Sequence, residues 1–117
     1  MSDSILRTKA KEFSKSMVLL CRKLKNDGTE YALVNQLLRS GTSIGANVHE
    51  AQYAQGTKDF ISKFEIALKE CNESEYWLEL LYSVNDISAE TYAHFQKECI
   101  ELRRMLVSSV TTLKKKL

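Results

Sequence analysis

Apolar residues recur along this chain at intervals of three and four, in four separate stretches. In the first, Leu6, Ala10, Phe13, Met17, Leu20 and Leu24 are spaced 4-3-4-3-4, which winds them onto one face of an α-helix. The spacing predicts a helix from about Ser4 to Lys25, ended by Asn26-Asp27-Gly28 with Gly28 in a left-handed turn. Val18 and Leu19 fall off this seam. They are either ordinary exposed apolar residues or a second apolar surface facing another subunit. The second stretch keeps helical spacing through Leu37, Ile44, Val48 and Ala51. Its helix is expected to take Thr29 as N-cap, to place Glu30 in the first turn, and to end near Gly56. The third begins with Thr57 as N-cap and carries Phe60, Phe64, Ala67, Cys71, Ser74, Leu78 and Leu81, with Tyr76 and Trp77 broadening the apolar surface. The fourth opens at Ser88 as N-cap, with Ile87 and Tyr92 placed as a hydrophobic staple. Its seam is Tyr92, Phe95, Cys99, Leu102, Leu106, Ser109 and Leu113, with fraying over Lys114 to Leu117.

One of these helices is locally weak. Between Leu37 and Ala51 lie Ser40, Gly41, Thr42, Ser43 and Gly45, and each interior glycine costs roughly 1 kcal/mol against alanine. A row of small residues lets a neighbouring backbone come close. The second helix is therefore expected to sit between neighbours, with packing offsetting its poor propensity.

Composition narrows the fold. The 117 residues are 44% hydrophobic and 27% charged, with no proline and four glycines. That suits one soluble domain with a real core, built of long helices and short loops; all-β folds need turn residues that are missing here. The expected architecture is all-α: one domain over residues 1–117, an antiparallel up-down-up-down four-helix bundle. No basic run followed by an apolar core opens the chain, and no apolar run nears the ~18 residues of a membrane span. Three cysteines, with Cys71 and Cys99 on seams and Cys21 beside one, read as buried reduced thiols. A cytoplasmic protein with no membrane partner is the expectation.

Catalytic constellations do not emerge. A di-iron bundle needs Glu-x-x-His on two helices, but Ala46 lies three before His49 and Thr91 three before His94. Cysteine spacing gives no zinc motif. Cys71 and Cys99 on packed seams lack the open, activating surroundings a nucleophile needs. Gly41 and Gly45 have neither the preceding strand nor the Gly-Lys-Ser/Thr of a phosphate loop. No catalytic residue, metal or cofactor is assigned, and the protein is expected not to be an enzyme.

Charge is distributed unevenly despite a net of +2. Residues 1–27 hold seven Lys/Arg against three Asp/Glu, and residues 57–83 hold three against six. This suits head-to-tail association or an anionic partner. Arg7, Lys11, Lys15, Arg22 and Lys25 lie on the outward arc of the first helix. They are a solvated face or a set of phosphate contacts, which need no base readout. Arg103, Arg104, Lys114, Lys115 and Lys116 join them if the first and fourth helices are adjacent. Aromatic residues do not interleave with this charge, which argues against a base-stacking platform. Glu70, Glu73, Glu75 and Glu79 form either a solvated face or a counterpart to a basic surface, on the same or a neighbouring subunit. Asn47 reads as a register-fixing residue that needs hydrogen-bond partners.

The segment from Leu37 to Ala51 resembles the signature of four-helix-bundle proteins encoded in intervening sequences of large-subunit ribosomal RNA genes, which reads Arg-x-x-x-Ser-Ile-x-x-Asn-Ile-x-Glu-Gly. Arg39, Ser43, Ile44, Asn47 and Glu50 match; Val48 replaces Ile, and Ala51 stands where Gly is frequent. The likeness continues through Lys58-Asp59-Phe60, Ile66 to Glu70 and Glu75 to Leu78. The resemblance implies a homo-oligomer, a ring-like pentamer, with Arg39, Gly41, Ser43, Ile44, Gly45, Asn47 and Glu50 as structural motif residues. It also implies kinship with the accessory proteins of diversity-generating retroelements, pentameric barrels that bind nucleic acid and a reverse transcriptase. Two functional readings follow. The first is nucleic-acid binding, RNA first and DNA as well, through the basic surface with low sequence preference. The alternative is a scaffold that docks a protein encoded nearby.

Overall fold

Each of the four apolar periodicities folds as one α-helix: α1 (Ser2–Asn26), α2 (Tyr31–Ala51), α3 (Thr57–Ser83) and α4 (Ala89–Lys114). The computed structural model describes the backbone of residues 2–117 and the side chains of residues 4–117. No strand occurs among the described residues. Each helix packs on its neighbour in the chain, and α4 packs back on α1, giving an all-α four-helix bundle of 47 × 22 × 20 Å.

Buried residues follow the seams closely. Leu6, Ala10, Phe13, Met17, Leu20 and Leu24 of α1 are all buried, as are Leu37, Ile44, Val48 and Ala51 of α2. Two seams shift at their ends. In α3 it is Ile61, not Phe60, that is buried; in α4 it is Val110, while Ser109, Leu113 and Tyr92 are only half-buried. A strict 3.5-residue repeat drifts around a straight helix by roughly 20° per heptad, so the inward line moves to the adjacent residue over several turns. Phe60 remains against the core, its ring 4.5 Å from that of Phe64.

Helix ends show which local signals prevailed. α1 closes as expected: Gly28 has φ of 90°, its N–H bonds to the Lys25 carbonyl, and the Thr29 N–H reaches Leu24 O at 3.0 Å. This is the Schellman arrangement. It also explains why Thr29 does not cap α2: its backbone completes the end of α1 and it is buried. Glu30 takes the N-cap place, without a side-chain hydrogen bond. At α3 the N-cap is Gly56 rather than Thr57. Asp59 reaches back over this start, its carboxylate accepting from the Gln55 N–H at 3.1 Å. α2 stops at Ala51, short of Gly56, where the chain tightens into bonds three residues apart, Tyr53 N–H to Glu50 O and Ala54 N–H to Ala51 O. Ser88 caps α4 as expected, its hydroxyl accepting from the Thr91 N–H at 3.1 Å.

Candidate nucleic-acid interface

The glycine-bearing segment of α2 lies directly against α1. A Cβ added at Gly41 would stand 2.5 Å from Met17 Cγ; one added at Gly45 would stand 2.8 Å from Ser14 Oγ and 3.2 Å from the Ala10 carbonyl oxygen. Both distances are below ordinary contact, so only glycine lets the two helices approach this closely. Further along, Cys21 meets the Val34 carbonyl. Partner numbers thus fall along α2 as they rise along α1.

The remaining motif residues serve the α2–α3 seam and α2 itself. Ser40 and Ser74, both fully buried, are joined by a hydrogen bond of 3.0 Å. Arg39 reaches across to Glu70, at 3.1 Å, and to Glu73. Glu73 also accepts from the Trp77 indole N–H at 3.2 Å. That bond, then the Arg39 guanidinium, holds the Glu73 carboxyl below the usual carboxylate range, while the bond to Glu73 raises Arg39 above its ordinary value. Ser43 and Asn47 turn back onto α2: the Ser43 hydroxyl donates to Arg39 O at 2.6 Å and the Asn47 amide to Ser43 O at 2.9 Å. Ile44 is buried and Glu50 exposed.

Glu65, Glu70, Glu73 and Glu75 of α3 have counterparts within the same chain. Glu75 pairs with Arg103 and Glu65 with Lys114, at 2.9 Å for the latter. These pairs turn Arg103 and Lys114 toward α3. Arg104, Lys115 and Lys116 are exposed. α4 does adjoin α1, through the edge-on rings of Phe13 and Phe95 and the ion pair of Lys9 with Glu101. The cleft there is lined by Glu12, Glu98 and Glu101 as well as Lys9, and the Lys9 bond holds Glu101 below the usual carboxylate range. The two helices are thus adjacent, with three glutamates and Lys9 at their junction.

The basic residues of α1 do come together, on the side turned toward α2. Arg7 and Lys11 line a groove of about 330 Å³ whose other wall is Gly45, Val48, His49 and Gln52 of α2. Lys11 and Ser14 continue into a hollow of about 390 Å³ with Lys15, Val18, Leu19 and Arg22. Among the described residues, no ion pair engages Lys11 or Arg22, and Lys15 makes only an exposed contact of 3.4 Å with Glu12. Leu19 is 64% exposed within this arc.

The fold also places something here that the linear pattern hides. His49 lines the groove beside Arg7 and Lys11, and the Tyr53 ring stands 5.6 Å from the His49 ring. Tyr53 is 73% exposed. Aromatic residues are absent from the basic face of α1 itself, yet packing sets the Tyr31 ring of α2 under Lys25, at 5.3 Å, and the turn after α2 carries Tyr53 next to His49. The sequence signal for Tyr53 is that it falls off the apolar stripe of Leu37, Ile44, Val48 and Ala51.

All three cysteines are buried free thiols, and burial pushes Cys21 and Cys71 up to about 11 and Cys99 higher still. Among the described residues no group of three or more His, Cys, Asp or Glu side chains converges. No helix is long and apolar enough to cross a membrane.

Residues 2–108 match the family model described as 23S rRNA-intervening sequence protein. The fold is similar to the crystal structure of a protein of unknown function from the S23 ribosomal protein family of Bacteroides thetaiotaomicron. The TM-score is 0.92 at 44% identity, covering 95% of this chain and 99% of that one. No curated protein matches the chain.

Proposed function

This chain belongs to the 23S rRNA-intervening sequence protein family, and from that premise we propose that it is a non-enzymatic, homo-oligomeric bundle that holds nucleic acid, RNA first, on the α1 arc. The observation that carries this reading is the contrast in charge pairing. Arg39 of α2 and Arg103 and Lys114 of α4 meet carboxylates of α3, whereas Arg7, Lys11, Lys15 and Arg22 share one surface lined by no α3 carboxylate. Lysine and arginine side chains aligned this way neutralise phosphates without reading bases. A ring of copies, a pentamer on the family resemblance, would repeat the arc and raise avidity through effective concentration.

The test is binding of a mixed-sequence RNA across a salt series, alongside light scattering. Four phosphate contacts per chain on a single strand give a slope of log K against log salt near about −3. The Lys11→Gln variant should lose part of that slope. A salt-insensitive or absent interaction overturns the reading, and a solution mass equal to the 13.4 kDa chain overturns the oligomer. The exposed Leu19 beside Val18 favours the second reading, a scaffold for a protein partner. Survival of a partner in pull-downs after nuclease treatment, with no RNA binding, would select it.

A further inference from the structure

We propose that the groove between α1 and α2 is a single-strand site, in which Arg7 and Lys11 hold phosphates and the exposed Tyr53 ring, backed by His49, stacks a base. The inference rests on reading the α1 arc as a phosphate surface, and it adds the class of nucleic acid. Three observations converge on it. Two cations and an imidazole line one groove of about 330 Å³, floored by Gly45 and Val48. The groove opens into the hollow bearing Lys15 and Arg22, because Lys11 and Ser14 line both. The His49 ring, which lines the groove, has the Tyr53 ring 5.6 Å away, with Tyr53 73% exposed.

The chemistry follows from that juxtaposition. A paired, stacked base in a duplex shows a protein only its edges, so an exposed aromatic face gains nothing from it. An unpaired base has a free face, and aromatic stacking on it is tolerant of sequence. Cations at Arg7, Lys11 and Lys15 recur every fourth residue, about 6 Å apart along α1 at the helical rise. They form a ladder for one phosphodiester backbone while Tyr53 takes a base beside it. Val18 and Leu19 offer further apolar surface along the same track.

Fluorescence anisotropy tests this with three probes of equal length on the full chain: an oligothymidylate, the same backbone without bases, and a duplex. The thymidylate is expected to bind most tightly. Tyr53→Ala should weaken it by roughly 5-fold or more, as loss of one stacked base does, without changing the salt slope. Tyr53→Phe should keep the affinity, and the abasic probe should be indifferent to both changes. Lys11→Gln should instead reduce the salt slope for all three probes. Tyr53 is a surface residue, and an unchanged circular-dichroism melting curve for Tyr53→Ala confirms that folding is not the cause. Salt-sensitive binding with no response to Tyr53→Ala, or a duplex bound as tightly as the single strand, overturns the single-strand site and leaves the phosphate surface standing. Failure of every probe to bind overturns the single-strand site, and failure of the mixed-sequence RNA as well overturns the phosphate surface.

Discussion

Gly41 and Gly45 are the residues on which the α1–α2 contact turns, and their surroundings differ. Gly41 faces the side chain of Met17, fully buried; Gly45 faces the Ser14 hydroxyl and, next to it, the backbone carbonyl of Ala10. A methyl group at Gly41 gains roughly 1 kcal/mol in helix propensity but overpacks a closed core, which costs typically about 1–3 kcal/mol. Gly41→Ala is therefore expected to lower stability. In a Met17→Ala background the clash is gone, so the same change should be neutral or stabilising. Urea denaturation of the four proteins in this cycle measures the coupling; additive effects would place the glycine away from Met17. Gly45→Leu has no such rescue, because the Ala10 carbonyl cannot rotate away. The small-residue row was legible in the sequence as a close-contact strip. Which helix it met, and that Gly41 meets only side chain while Gly45 also meets main chain, was not.

At the scale of the element, the four helices were readable because each buries one continuous stripe, and stripe periodicity is a local property. Their ends were less so. Two helices stop by the same device: Gly28 after α1 and Asn85 after α3 both adopt positive φ, 90° and 67°. In each, the following N–H reaches five residues back, Thr29 to Leu24 and Asp86 to Leu81. The glycine was recognisable as a stop signal; the asparagine passed unnoticed in Val84-Asn85-Asp86. Left-handed backbone costs a residue with a Cβ about 1–2 kcal/mol, less for asparagine. Gly28→Ala is accordingly expected to lose about that amount, with no steric contribution, since nothing lies within 4 Å of an added Cβ. Asn85→Gly should gain up to about 1 kcal/mol. Shifts of the urea midpoint in opposite directions check the pair. The Thr29 and Thr57 caps failed for a shared reason: a capping side chain is chosen by loop geometry, and these loops were already committed to closing α1 and to Asp59.

For the whole molecule, Arg39 with Glu70, Glu73 and Trp77 forms the polar clasp between α2 and α3. The Glu73 carboxyl is held below its usual range, first by the Trp77 N–H and then by Arg39. A carboxyl depressed in the folded state contributes stability above its unfolded pKa, about 4.3 for glutamate, and loses it as pH falls through the folded value. Glu73→Gln should therefore be less stable than the native chain at pH 6, and the difference should shrink as pH falls below the unfolded value and through the depressed folded one. Parallel stability curves at every pH would show that the clasp carries no titrating contribution. What the sequence determined by itself was the set of helices, the inward stripes and the need for one tight helix contact, because helical periodicity and side-chain size are encoded residue by residue. Tertiary structure alone decided which charges meet. Helix rotation aimed Arg103 and Lys114 at α3, set Glu12, Glu98 and Glu101 with Lys9 between α1 and α4, and brought His49 of α2 beside Arg7 and Lys11. Those meetings depend on distances across the bundle, which no spacing along the chain records.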